Sequence, residues 1–181
     1  MCAVAPQITD DQSLKLVDRL PKLHETGGPK LALRLQGPAE ACNVIAMAGR
    51  KTLAATWLEQ PEADLAAARD SAAAGHHEWS CFQSQQAGEK ALKALLYARG
   101  NTSIVTHSLR RLVRECQAID PGFATLDEEA RMLDQYYILT RYPNGLDEEI
   151  PPARYYDHTD AQRCLQSARS ILERVKPSFA S

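Results

Sequence analysis

Between Trp79 and Gly100 the apolar residues run almost the whole way round a helical wheel of about 100° per residue. Trp79, Phe82, Ala87, Ala91, Leu92, Ala94, Leu95 and Leu96 cover most of the circumference. Gln86, Lys90 and Lys93 fill a narrow polar stripe, with Gln85 and Glu89 at its edge. A helix of this kind is packed on several sides, so the pattern predicts a central helix over about 77–99. Its marginal polar residues are either hydrogen-bonded to neighbouring helices or kept for a ligand. Gly88 costs about 1 kcal/mol relative to Ala inside a helix, which predicts close approach of another element there.

The pattern elsewhere is also helical from Thr52 onward. An Ala-rich helix is expected over about 53–74, ending at Gly75, with Pro61 either kinking it or marking the first turn of a helix that starts near Gln60. A third helix over about 107–118 divides cleanly. Leu109, Leu112, Val113 and Cys116 face one way, and His107, Arg110, Arg111 and Arg114 the other. A fourth, over about 126–141, opens on a capping box at Thr125–Glu128 and buries Leu126, Ala130, Leu133 and Tyr137. A Pro-rich loop excludes helix until Thr159. The fifth helix, about 160–176, opens on a second capping box at Thr159–Gln162. Ala161, Cys164, Leu165, Ala168, Ile171, Leu172 and Val175 form its core stripe. Five helices with short links predict an all-α antiparallel bundle.

Residues 1–51 read as an N-terminal extension. LKLVDRLPKLHE has the spacing of a short amphipathic helix interrupted by Pro21, KLALRLQ alternates like a strand, and ACNVIAMAG fits strand or helix.

Composition narrows the function. The net charge of −2 over 181 residues gives no global drive toward nucleic acid, so any basic site is a local patch. No run approaches the ~20 apolar residues of a membrane span, and no basic-then-apolar leader opens the chain, so a cytoplasmic protein is expected. The five cysteines include no CxxC and no zinc spacing, and the histidines lack a matching carboxylate or cysteine set; neither a metal nor a cofactor is expected.

QQAGEKALKALL at 85–96, THSLRRL at 106–112, LDQYYILTRYP at 133–143 and a closing helix carrying Ala161 and Ala168 together resemble the HEPN family, the higher eukaryotes and prokaryotes nucleotide-binding domain. The resemblance covers about 53–176. It implies a helical bundle that dimerises, as in the C-terminal domain of sacsin, a large chaperone-like protein. Small prokaryotic members sit beside a minimal nucleotidyltransferase, which implies a nucleotidyltransferase or chaperone-related partner. Many members are metal-independent ribonucleases with an Arg followed, four to six residues on, by a His. Here Arg154 and His158 leave three residues between them. Arg69 and His76 leave six but fall between the first two helices. That departure favours a non-catalytic module binding an ATP- or GTP-like nucleotide. A ribonuclease or toxin is the alternative, and would need His107 or His158 to meet an arginine in three dimensions. Phosphate needs cationic donors and a base needs an aromatic seat. The candidates for these are Lys90, Lys93, His107, Arg110, Arg111, Arg114, Arg141 and Tyr142, with no catalytic residue assigned. Arg141 has a second, structural reading as a cap on the carbonyls that end the fourth helix.

Overall fold

The computed structural model describes the backbone of residues 38–101, 103–146 and 150–179, with side chains from Thr56 onward. The expectations for residues 1–37 lie outside the described residues. Helix α1 spans Pro38–Ala73, so the predicted start near 53 is corrected by about four turns, and ACNVIAMAG is helical. The helix runs through Pro61 without a break, and Pro61 is fully buried. Ala74, Gly75 and His76 turn the chain, Gly75 at φ +82°. Helix α2 (His77–Ala98) then runs back along α1. Three contacts fix that antiparallel register: Ser71 with Gln83, Asp64 with Lys90, and the Trp57 and Tyr97 rings 4.9 Å apart.

Helix α2 is the centre of the bundle. Leu92, Ala91 and Ala87 are fully buried, and so is Gln85. Trp79 does not help close the circumference as the wheel suggested; it is 46% exposed. Gly88 makes the expected close approach. A Cβ there would lie 2.8 Å from Leu109 Cδ2, 3.2 Å from Ile171 Cδ1 and 3.4 Å from Leu133 Cδ1.

Helix α3 (Leu109–Gln117) starts two residues later than predicted, because Ser108 is its cap and His107 stands outside it. Its apolar face is as the spacing predicts: Leu109, Leu112, Val113 and Cys116 are all buried. A 3-10 turn at Pro121–Leu126 leads into α4 (Asp127–Asp134), and a separate short α5 follows at Tyr136–Leu139. The predicted single helix is therefore broken at Gln135. The Thr125 capping box is absent as well: Thr125 Oγ1 donates to the Gly122 carbonyl at 3.0 Å instead. The break also changes which tyrosine is inside. Tyr136 is buried and Tyr137, expected in the inner seam, is half-buried.

The Pro-rich loop contains a short helix, α6 (Pro152–Tyr155), where none was expected. Helix α7 (His158–Val175) is capped by Asp157, two residues before the predicted Thr159. Asp157 accepts from the Asp160 amide at 3.0 Å and Asp160 accepts from the Asp157 amide at 3.2 Å, a reciprocal box built from two aspartates. The α7 core stripe holds, with Ala161, Cys164, Ala168, Ile171 and Val175 at 0% exposure and Leu165 partly buried. The described cysteines Cys81, Cys116 and Cys164 are free and buried. No described helix is long and apolar enough to cross a membrane.

Candidate functional site

Glu89 follows Gly88 on α2 and is 5% exposed. A buried carboxylate needs donors, and three converge on it. Lys93 Nζ, one turn along, donates to Oε1 at 2.8 Å. Gln85 Nε2, one turn back, donates to Oε2 at 3.1 Å. His107 Nδ1 lies 3.1 Å from Oε1. Gln85 Nε2 also reaches the His107 carbonyl at 3.4 Å, so the same amide touches the histidine's backbone and the carboxylate that orients its ring. A carboxylate already served by an ammonium is an acceptor, so the Nδ1–H tautomer of His107 is the one that suits this contact. The side chain is 55% exposed.

The backbone around His107 is held from α4. Asp134, the last residue of that helix, accepts from Ser108 Oγ at 2.7 Å, Leu109 N at 2.6 Å and Arg110 N at 3.3 Å. These bonds cap α3 and fix the turn that presents the histidine. Its ring stacks on Tyr137, with centroids 5.1 Å apart and planes 13° apart. Arg141 lies against the same tyrosine. Its Cζ is 4.8 Å from the Tyr137 centroid, 4.6 Å from Phe82 and 5.3 Å from Tyr142. Its Nε donates to the Tyr137 carbonyl at 2.9 Å, which is the capping role that the sequence allowed. The guanidinium thus has a fixed place on aromatic faces, and among the described residues its terminal nitrogens have no hydrogen-bond partner.

Of the residues singled out in the sequence, the fold brings Lys93, His107, Arg141 and Tyr142 into this one neighbourhood. Lys90 lies on the α1 side, bound to Asp64 at 2.6 Å. Arg110 makes a two-pronged pair with Asp127 at 3.1 and 3.0 Å. That pairing holds the Asp127 carboxyl below its ordinary range. Arg111 pairs with Glu115 at 3.4 Å, and Arg114 is exposed on the same helix. The α3 cations are therefore mostly neutralised where they stand. Phe82 and Asp134 were not among the site candidates; Glu89 was singled out only as a marginal polar residue of the central helix, and Tyr137 as an inner-seam residue whose ring could also stack on a base. The Gln85–Glu89–Lys93 spacing of four was the available signal, since it stacks all three on one edge of a helix. Among the described residues no group of three or more His, Cys, Asp or Glu side chains is placed to hold a metal ion.

A helical bundle with a carboxylate-held histidine and an arginine on one tyrosine is the class of protein that fold and site define. The HEPN domain model matches residues 54–177, and the chain belongs to that family. A solved protein of Thermus thermophilus is 39% identical, with a TM-score of 0.64 over 69% of this chain and 97% of its own. A solved archaeal HEPN homologue is 36% identical, with a TM-score of 0.58 over 70% of this chain and 97% of its own. A protein of Methanocaldococcus jannaschii that bears the name "Putative toxin" is 28% identical over 127 residues, which is 66% of this chain and 84% of that protein.

Proposed function

We infer that this HEPN domain acts on the phosphodiester backbone of RNA, with His107 as the proton-transferring group and Arg141 as the phosphate holder. The observation that carries the reading is the single arrangement around Tyr137: a half-exposed histidine oriented by a buried carboxylate, with an arginine on the same ring. The reading shifts weight from the non-catalytic module to the ribonuclease alternative. What supports it is that His107 and Arg141, 34 positions apart in sequence, both lie against the Tyr137 ring.

The chemistry needs little more. His107 Nε2 accepts the proton of a ribose 2′-hydroxyl, and the 2′-oxygen attacks the adjacent phosphorus. The 5′-oxygen leaves and takes a proton from water, giving a 2′,3′-cyclic phosphate. Glu89 keeps the imidazole in the right tautomer and stabilises the imidazolium that forms. Arg141 donates to the non-bridging oxygens as their charge grows. Exposed Tyr142 and Trp79, each about half exposed, offer faces for unstacked bases. The name of the M. jannaschii relative supports a toxic activity of this kind.

A second reading stays with nucleotide binding alone. It is favoured by the covering of Arg141 with three rings and its bond to the Tyr137 carbonyl, which suit a static phosphate clamp. Under either reading we propose a homodimer, with exposed Trp79, Ile138 and Tyr142 covered by the second copy. We also propose a nucleotidyltransferase or other protein partner that controls the site. The two readings part in one experiment: a labelled single-stranded RNA is incubated with the protein without added metal, and binding and cleavage are followed together. Cleavage that Arg141→Ala reduces with little loss of stability supports the first. Binding without cleavage, lost in the same variant, supports the second. Neither binding nor cleavage overturns the first, and the second is overturned if adenosine or guanosine triphosphate does not bind either.

A further inference from the structure

Two donors share one oxygen of Glu89. Lys93 Nζ lies 2.8 Å from Oε1, and His107 Nδ1 lies 3.1 Å from the same atom. Gln85 takes the other oxygen, Oε2, at 3.1 Å. Glu89 and Lys93 stand one turn apart on α2 with the acid first, the order in which such a pair closes most readily on a helix. Both are enclosed, at 6% and 8% side-chain exposure, while the histidine they flank is 55% exposed. The sequence offers Lys93 as a phosphate donor, but its ammonium is shut in against the carboxylate rather than turned to solvent.

That sharing decides what Glu89 does to the ring. A bare carboxylate in hydrogen-bond contact with an imidazole favours the imidazolium, and an ammonium on the same carboxylate offsets that pull. Shielding from water makes both effects stronger than they are at a surface. The other charged groups around the ring are engaged elsewhere. Arg141 lies on Tyr137, the ring on which His107 stacks, and donates to the Tyr137 carbonyl. Asp134 spends its oxygens on Ser108 Oγ and on the amides of Leu109 and Arg110. A general base must meet its substrate without the proton it is to accept. A carboxylate paired with an ammonium can orient such a base without charging it.

We propose that Lys93 is a positioning residue for His107: by pairing with Glu89 it makes the group that aligns the imidazole nearly neutral, and Nε2 is left as the proton acceptor. The catalytic meaning of this inference rests on the ribonuclease reading given above. The charge relation between the two side chains is measured without substrate.

The test follows the pH titration of the His107 imidazole by nuclear magnetic resonance in the full chain, its signal identified by its loss in His107→Ala. Lys93→Gln keeps a donor for the carboxylate and removes the charge. His107 is expected to titrate about one pH unit higher in this variant than in wild type. Lys93→Arg, which keeps the charge, is expected to return most of the way to wild-type behaviour. In RNA cleavage, the acid limb of the Lys93→Gln pH–rate profile moves to higher pH by the same amount, with a rate about tenfold lower on the acid side and little changed above it. A lysine that served packing alone would lower the rate equally at every pH. The proposal is overturned if His107 titrates at the same pH in Lys93→Gln as in wild type, or if Lys93→Arg is displaced as far as Lys93→Gln. Where Lys93→Gln does not fold, Glu89→Gln is compared with Glu89→Gln/Lys93→Gln, which leaves no buried charge unpaired. The double variant is expected to titrate higher than the single one, and equal titration overturns the proposal. A wild-type protein that cleaves no RNA overturns the ribonuclease reading, and the titration still decides whether Lys93 sets the charge of the ring.

Discussion

Glu89 shows how one residue can serve folding and chemistry together. Its carboxylate sits at 6% side-chain exposure with Lys93 at 8%, and each would be an uncompensated charge without the other. Removing one partner of such a buried pair typically costs about 3–5 kcal/mol, so Glu89→Ala is expected to lower urea-unfolding stability by about 3 kcal/mol. Lys93, left without its acceptor, carries most of that loss. A loss below about 0.5 kcal/mol, the ordinary range for a surface substitution, would show that the pair is not buried in solution. Cys116 is the opposite case, a residue kept inert. Burial pushes its thiol up to about 12, with the nearby Glu115 charge adding to the shift. At about pH 8 it is therefore protonated and enclosed. Peptide mass mapping after iodoacetamide is expected to find Cys116 unmodified in the native protein and alkylated in urea.

At the scale of elements, α3 depends on a neighbour for its first turn. Asp134 accepts three bonds from residues 108–110, a service the helix's own Ser108 performs only at 3.4 Å to Arg111 N. Asp134→Ala is expected to lose about 1–2 kcal/mol. It should also lower activity more than Thr125→Ala, because the turn it holds presents His107. The core stripe of α7 and the apolar face of α3 were legible because period-3.6 burial leaves a direct trace in sequence. The caps were less so. Asp157 and Thr159 both fit a helix start two residues apart, and the winner was the aspartate whose partner Asp160 could reciprocate. The break at Gln135 and the long early start of α1 left no such trace. The candidate site was legible only one residue at a time. His107 and Arg141 stood out as polar groups, but the placing of both against Tyr137 is a tertiary arrangement that no local spacing encodes.

At the scale of the whole molecule, Gly88 is where α2, α3, α4 and α7 come together. Ala there would gain about 1 kcal/mol of helix propensity. Against that stand contacts of 2.8, 3.2 and 3.4 Å with Leu109, Ile171 and Leu133, all of them side-chain tips in a filled core. Overpacking costs about 1–3 kcal/mol, so Gly88→Ala is expected to destabilise by about 1 kcal/mol and Gly88→Leu to prevent folding. A more stable Gly88→Ala would contradict this close packing. Two ion pairs tie the bundle at its edges. Asp120 has its carboxyl held down first by the Gly122 amide and then by Arg174, and Asp127 is held down by Arg110. Both folded-state values lie below the ordinary 3.8, so their stabilisation is present above that value and is lost as pH falls through the lowered ones. Stability measured from about pH 7 to 2 is expected to fall below about pH 4. Asp120→Asn/Asp127→Asn should flatten that fall, although both groups are exposed and the effect is small.

Cleavage of a labelled single-stranded RNA by the wild-type protein and by His107→Ala, with Arg114→Ala as the charge control, tests the central claim most directly. The account predicts a 2′,3′-cyclic phosphate product, a rate lower by a factor of about 10²–10⁴ in His107→Ala, and a near wild-type rate in Arg114→Ala. Cleavage that survives the loss of His107 would contradict it.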